Sequence, residues 1–169
     1  TIIKPSLVYS VDDNLTTKFM SLLSLLPIFP LYYGGKTKFT PIHVTELAEI
    51  IFYVISKELY SKSIEAIGPE ILSFKEILQI LMRCIRKNTF LFPMPISLAR
   101  FTAFFMQILP EPLITQDQIN LLKYDNIKTE KGTSNFDIGC PSKLKFEDTV
   151  MKYAFNWSEG GQFSNATKK

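Results

Sequence analysis

Residues 38–59 read KFTPIHVTELAEIIFYVISKEL, an extended piece followed by an amphipathic helix. The extended piece covers Lys38–Val44. The helix is predicted from about Thr45 to Leu59, because apolar residues recur there at helical spacing on one face, namely Leu47, Ile50, Ile51, Val54 and Ile55. A brief strand is predicted next, at Ser63–Ile67, and Gly68-Pro69 closes it. Short strands that alternate with helices are typical of a mixed α/β fold.

Further helices are predicted on both sides of this stretch. Upstream, a helix is predicted to begin near Asp13 and to stop at Pro27, with an apolar stripe of Leu15, Phe19, Leu22, Leu23 and Leu26. Downstream, Ser73 and Glu76 form a capping box, so a helix is predicted to begin just after Ser73. Three more helices are predicted, at residues 96–109, from Thr115 to about Tyr124, and at residues 145–154.

The composition fits one globular domain. The chain has 169 residues, of which 46% are hydrophobic and 21% charged, and this balance disfavours a disordered or collagen-like chain. The net charge is only +3 and the basic residues are dispersed, so no nucleic-acid partner is predicted. A single histidine and two distant cysteines, Cys84 and Cys140, provide no metal-ligand pair and no disulfide framework. No metal site is therefore predicted, and a reducing compartment is expected.

Residues 1–154 are predicted to form the folded part of the chain, a sheet edge with a helical segment. Residues 155–169 are predicted to be a flexible tail, because they lack periodicity and contain Gly160-Gly161. The chain begins with Thr1 and a strand rather than a charged leader, so no signal peptide is predicted. We interpret the chain as an excised piece of a longer protein.

Residues 96–109 are apolar on nearly every side. As a helix, this segment would span about 21 Å, short of the roughly 30 Å hydrocarbon core, so it is not predicted to cross a membrane. Burial within the domain is the favoured interpretation. Docking onto a partner subunit and peripheral membrane contact are the alternatives, with positive charge supplied by Arg83, Arg86, Lys87 and Arg100.

Several blocks of the sequence resemble the C-terminal half of extended short-chain dehydrogenases. The general resemblance is carried by Lys4-Pro5-Ser6-x-Val8, by Phe39-x-Pro41-Ile42-His43-Val44-x-Glu46-Leu47-Ala48 and by a strand ending in Gly68-Pro69. A narrower resemblance is to the dehydrogenase-like accessory subunits of respiratory complex I and their bacterial relatives. It is carried by Thr1–Val8, Gly34-Gly35-Lys36-Thr37, Phe92-Pro93-Met94-Pro95, and Thr115-Gln116-Asp117-Gln118 through Lys123-x-Asp125-Asn126.

The resemblance implies the mostly helical C-terminal portion of a Rossmann-like α/β fold, with a few short strands. It also implies a missing N-terminal Rossmann half as the partner of this chain. The seven glycines fit no G-x-G-x-x-G phosphate loop. NADP or NAD is therefore expected in the full-length protein, and no cofactor is expected for this chain alone. The resemblance places Pro5, Ser6, Leu7 and Val8 in a loop whose backbone passes the nicotinamide end of the cofactor.

No catalytic residue is predicted. His43 matches a position where the resembled proteins often have His or Tyr, which makes it a substrate-lobe candidate, although a packed or hydrogen-bonded role is preferred. Glu46 is interpreted as a carboxylate that stabilises a helix N-terminus. Tyr53 and Lys57 have Tyr-x-x-x-Lys spacing on a helix, but they lie where the family does not place its catalytic pair, so a half-buried tyrosine beside a solvated lysine is expected.

The resemblance implies the C-terminal part of a complex I-associated, NAD(P)-binding-like protein with a structural or assembly role. The alternatives are the substrate-binding lobe of an active NAD(P)-dependent reductase or epimerase, and a stand-alone protein-interaction module. Complex I subunits are the implied partners. The expected location is the cytoplasm, or peripherally the inner membrane, on the matrix side in a eukaryote.

Overall fold

A computed structural model describes residues 1–13, 15–94 and 120–163. Its strands are β1 Ile2–Pro5, β2 Val8–Tyr9, β3 Ile28–Tyr32, β4 Lys38–Phe39, β5 Ile42–His43, β6 Ser63–Ala66, β7 Leu72–Ser73, β8 Phe90–Met94 and β9 Thr133–Ser134. Its helices are α1 Thr16–Leu25, α2 Val44–Ser56, α3 Phe74–Cys84 and α4 Phe146–Val150, with 3₁₀ turns at Tyr33–Gly35 and Ala154–Trp157. The predicted mixed α/β fold with short strands is confirmed.

The largest sheet has three parallel strands in the order β1-β6-β9. The central strand β6 pairs Ile64 with Ile3 on one side and with Thr133 on the other. Helix α2 packs on this sheet, and the apolar cluster between them contains Ile42, Ile50, Val54, Ile64 and Ala66. Strand β1 occupies an outer position among the described strands of this sheet, and its assignment to the sheet edge of a larger fold stays a prediction.

A second and larger core lies among α1, α3 and the C-terminal elements. Its centre is built from Met20, Leu23, Leu78, Leu81 and Val150, which are almost completely buried. Trp157 is also buried in this cluster, and its indole Nε1 donates to Ser21 Oγ at 2.8 Å. Packing against the core therefore extends three residues past residue 154, while the division into residues 1–154 and a flexible tail 155–169 stays a prediction.

Helix α2 differs from its prediction in the face that it buries. The structure buries Ile50 and Val54 against the sheet, as expected, but Ile51 is 41% exposed and Ile55 is 68% exposed. The predicted apolar face is therefore wrong for these two residues. The helix is apolar around much of its circumference, so periodicity alone does not reveal which side faces the strands.

The start of α3 is as predicted. Ser73 Oγ accepts from the Glu76 amide, and the Glu76 carboxylate accepts in return from the Ser73 amide at 2.8 Å. This is the complete capping box. The positions of α1 and β6 also agree with the local sequence signals to within a few residues.

Two predicted helices, at residues 96–109 and from Thr115, lie outside the described residues except for the last few positions of the second. The predicted helix at 145–154 is shorter in the structure, where α4 covers Phe146–Val150 and the chain then continues in turns. Within the described ranges, no helix has both the length and the apolar character needed to cross a membrane.

Candidate functional site

A cavity of about 530 Å³ opens beside the connection between β1 and β2. Cavities of this size accommodate drug-sized ligands. Its walls are mostly apolar and include Leu7, Val8, Phe19, Phe39, Phe74 and Leu122. Three of the four predicted cofactor-facing residues line it, namely Ser6, Leu7 and Val8, whereas Pro5 pairs with Ala66 at the end of β1.

Backbone hydrogen bonds hold the Ser6–Leu7 segment in place. The Ser6 amide donates to Ala66 O at 3.0 Å, and Leu7 O accepts from the Ile42 amide at 2.8 Å. The buried Ser6 hydroxyl donates to Asn126 O at 2.7 Å and accepts from the Thr40 amide at 3.1 Å. The Ser6 side chain is thus used structurally, and Leu7 and Val8 present apolar side chains to the cavity. Contact between this segment and a cofactor stays a prediction.

Residues 122–126 form another wall of the cavity and are held by β4. Thr37 Oγ1 donates to Leu122 O, and the Lys38 amide donates to Asp125 Oδ1 at 2.8 Å. The Asn126 amide donates to Lys38 O at 2.8 Å. Lys123-x-Asp125-Asn126 was one of the blocks that carried the resemblance, and the structure gives its last two residues a positioning role that the sequence did not reveal.

His43 caps helix α2 and is not among the described residues that line the cavity. Its Nδ1 lies 2.7 Å from Thr45 Oγ1 and accepts from the Thr45 amide at 3.4 Å. The ring also packs edge-on against Tyr9, with 5.3 Å between centroids. The preferred hydrogen-bonded interpretation of His43 fits this geometry, and its role as a substrate-lobe residue stays a prediction.

The stability of the folded chain is expected to depend on pH through His43. Burial lowers the pKa of this imidazole; the negative charge of Glu46 opposes the shift and the positive charge of Lys152 adds to it. The unfolded chain therefore binds more protons just below the ordinary pKa of about 6.5, so stability falls as the pH drops through that value. The His43→Asn variant keeps a capping side chain but cannot titrate in this range. We expect its urea midpoint to change less with pH than that of the unaltered chain, between about pH 7.5 and about pH 5.5.

If the urea midpoint of the His43→Asn variant changes with pH as much as that of the unaltered chain, the pH dependence comes from other groups. Unfolding curves followed by circular dichroism provide the measurement. Lys57→Ala, an exposed change at the opposite end of α2, is a control that should leave the slope as it is.

Glu46 has a role that the sequence did not reveal. It is only 6% exposed, and its Oε1 accepts from the amides of Lys143 and Leu144, far away in the sequence. Its Oε2 is buried and has no hydrogen-bond partner among the described residues. Nearby, Glu70 accepts from the Phe146 amide at 3.1 Å. Two carboxylates thus hold the segment that leads into α4, and Glu46 does more than stabilise a helix N-terminus.

The Tyr53–Lys57 pair has the structural character that was expected. The Tyr53 hydroxyl donates to Ile138 O at 3.0 Å, and Lys57 Nζ lies 6.0 Å from the centre of the tyrosine ring. Within the described residues, no group of three or more His, Cys, Asp or Glu side chains could hold a metal ion. Burial raises the pKa of the Cys84 thiol to about 11, so this cysteine is a poor nucleophile near neutrality.

Sequence comparison identifies one curated relative of particular interest. The chain is 27% identical, over 173 aligned residues, to NADH dehydrogenase [ubiquinone] 1 alpha subcomplex subunit 9, mitochondrial, of Arabidopsis thaliana. The match covers 95% of this chain and 42% of that protein, so the chain spans less than half the length of this relative. No protein-family model matches the chain.

Solved structures show where the fold recurs. UDP-glucose 4-epimerase of Thermus thermophilus, in complex with NAD, superposes with a TM-score of 0.57 and 13% identity over 90% of this chain and 45% of that chain. GDP-mannoheptose C4 reductase of Campylobacter jejuni, with NADP bound, superposes with a TM-score of 0.56 and 18% identity over 92% of this chain and 48% of that chain. The chain therefore has the α/β fold of about half of these epimerase and reductase chains, and it is similar in sequence to a mitochondrial complex I subunit.

Proposed function

We propose that this chain is the C-terminal part of an NAD(P)-binding-like protein that associates with respiratory complex I and has a structural or assembly role. The observation that carries this proposal is the 27% identity to the Arabidopsis subunit, which extends over 95% of the chain. NADP or NAD would be held mainly by an N-terminal Rossmann half. This chain would contribute the segment Pro5–Val8, beside the cavity.

Two surfaces support an N-terminal half as the partner of this chain. Among the described strands, β1 pairs only with β6, so its other edge is open, and Ile2 on this strand is mostly exposed. On α2, the exposed residues Ile51, Phe52 and Ile55 form an apolar stripe. An open strand edge and a contiguous apolar face both favour association with further structure. A parallel strand added beside β1 would cover the open strand edge, and a further element of the N-terminal half would cover the α2 stripe.

Peripheral contact with the inner membrane, on the matrix side in a eukaryote, belongs to the same proposal. On the β3–β8 sheet, Ile28 and Phe90 are paired neighbours and both side chains are more than half exposed. Phe92, two residues along β8, is also exposed, and the basic residues Arg86 and Lys87 precede this strand. Apolar side chains beside basic ones suit an interface with anionic lipid or with a membrane-bound subunit.

The substrate-binding lobe of an active reductase or epimerase is the second candidate function. The observation that favours it is the cavity itself, because it lies directly beside the predicted cofactor-facing segment.

Calorimetric titration with NADPH and NADH tests the proposal. It compares this chain with a version that also carries the sequence encoded immediately upstream. We expect the longer version to bind a dinucleotide and this chain alone to bind none. Tight binding by this chain alone would place the cofactor site here and contradict the proposed division. Absence of binding in both would contradict the NAD(P)-binding proposal.

Two further readouts on the longer version separate the candidates. Turnover of NADPH with sugar-nucleotide or other carbonyl substrates would favour the enzyme. Co-migration with complex I on native gels, without turnover, would favour the structural or assembly role.

A further inference from the structure

We propose that the cavity beside Ser6–Val8 binds an amphiphile with a hydrocarbon body and a single small polar head, and that it excludes nucleoside diphosphates. This inference names the ligand class of the proposed site and rests on the proposed function for the neighbouring cofactor. The cavity itself is built from this chain's own residues.

The walls of the cavity are apolar and firmly held. Phe74 and Ile77 project from α3 and are almost fully buried, so they form a fixed apolar floor. Phe19 of α1 packs edge-on against Phe74, with 5.5 Å between the ring centres. Phe39 and Leu122 add further apolar surface to the same cavity. Burial of a hydrocarbon ligand against such walls is favourable in proportion to the apolar area removed from water.

Diphosphate recognition needs several free donors, an arginine fork or an open helix N-terminus. The first turn of α1 lines this cavity, but its amides are already occupied. Asp13 Oδ1 accepts from the Leu15 amide at 2.7 Å and also from the Thr16 amide. The Asp13 carboxylate thus fills the position that a phosphate would take, and its negative charge repels one.

Two other polar side chains of the cavity are also engaged within the protein. The Ser6 hydroxyl is shared between Thr40 and Asn126, and Asp125 accepts from the Lys38 amide. Lys18 supplies the single positive charge among the described residues of the lining. One lysine in a lining that also holds the Asp125 carboxylate is a poor site for the two negative charges of a diphosphate. It is compatible with one small polar head at the mouth of the cavity.

The mouth of the cavity is lined in part by exposed apolar side chains. Leu121 is 70% exposed and Tyr124 is similarly exposed, yet both line the cavity. A hydrocarbon ligand would cover these side chains while its head remains near water. Fatty-acyl and isoprenoid chains share this chemistry, so the test includes both.

Fluorescence titration with cis-parinaric acid, a polyene fatty acid, tests the inference on this chain. We expect saturable binding at one site. Palmitate and farnesol serve as acyl and isoprenoid competitors, and at least one of them should displace the probe. UDP-glucose should not displace it. Binding that does not saturate, or displacement by UDP-glucose, would overturn the inference.

A matched pair of variants places the binding in the cavity. Leu121→Glu puts a charge at the cavity mouth, whereas Leu25→Glu makes the same change at a leucine of α1 that is 60% exposed and does not line the cavity. We expect Leu121→Glu to weaken probe binding by about tenfold or more, because a carboxylate facing hydrocarbon is strongly disfavoured. Leu25→Glu should bind like the unaltered chain. Equal affinities in the two variants would refute the placement.

Further measurements distinguish weaker probe binding from unfolding of the variant and from failure of the proposed function. Circular dichroism checks that Leu121→Glu is folded, and Tyr124→Ser offers a second change at the cavity mouth without an added charge. Dinucleotide calorimetry on the longer version reports on the proposed function independently. If the probe binds and no dinucleotide does, the ligand class is retained and the proposed cofactor is rejected. If a dinucleotide binds and the probe does not, the proposed cofactor is retained and the ligand class is rejected.

Discussion

Replacing Gly68 with alanine is expected to destabilise the folded chain by about 3 kcal/mol or more. A Cβ atom at this position would lie 1.6 Å from the carbonyl oxygen of Pro41. No side-chain rotation can relieve this contact, because the backbone fixes the position of the Cβ atom and the Pro41 carbonyl is itself part of the backbone. The Gly68 amide also donates to Thr40 O at 3.1 Å, so the two segments cannot separate without losing that bond. Urea unfolding followed by circular dichroism measures the loss.

Gly160→Ala is the matched control for this prediction. Gly160 has a φ of +83°, which costs a side-chain-bearing residue about 1 kcal/mol or somewhat more, but a Cβ there would meet no atom within 4 Å. The loss at Gly68 should clearly exceed the loss at Gly160. Equal losses would mean that the chain relieves the close approach to Pro41 by a small shift, so that this contact does not set the cost.

Replacing Glu46 with alanine is expected to destabilise the folded chain by about 2 to 4 kcal/mol. The substitution removes the acceptor shared by the Lys143 and Leu144 amides and leaves both donors without their partner in a partly buried position. The segment that leads into α4 should then loosen first. Hydrogen exchange at these two amides, together with the urea midpoint, provides the measurement.

Two control variants define the cause of the Glu46 effect. Glu46→Gln keeps an oxygen acceptor and removes a charge whose second oxygen has no partner among the described residues, so its loss should be smaller than that of alanine. Glu49→Ala truncates an exposed glutamate on the same helix and should cost less than about 0.5 kcal/mol. A Glu49 variant as unstable as Glu46→Ala would point to the loss of negative charge from α2 instead of the tertiary contact, because alanine is the better helix former.

Gly68 shows what a sequence pattern can predict and what it cannot. The Gly-Pro pair correctly predicts where the strand ends, because glycine and proline act on the local backbone. The reason for glycine at this position is the carbonyl of Pro41, in a different segment of the chain. The pattern therefore located the residue, and the tertiary structure supplied its physical cause.

The candidate site was predicted in part for the same reason. The sequence pointed to Ser6, Leu7 and Val8, which do line a cavity, but it did not reveal that Phe74, Leu122 and other distant residues complete the wall. The sequence also predicted a local role for Glu46 at the N-terminus of a helix. In the structure, the Glu46 carboxylate accepts hydrogen bonds from the amides of Lys143 and Leu144, far away in the sequence. Contacts between residues far apart in sequence leave no periodic signal.

The sequence by itself determined the class of fold, the start of α3 at its capping box and the limits of β6. These features depend on interactions between residues that are close in sequence, such as Ser73 and Glu76, and such interactions can be predicted from the sequence. The tertiary structure alone decided that Ile50 and Val54 of α2 face the sheet while Ile51 and Ile55 do not. An apolar helix can bury more than one face, and the strands that it meets, rather than its own pattern, select which face is covered.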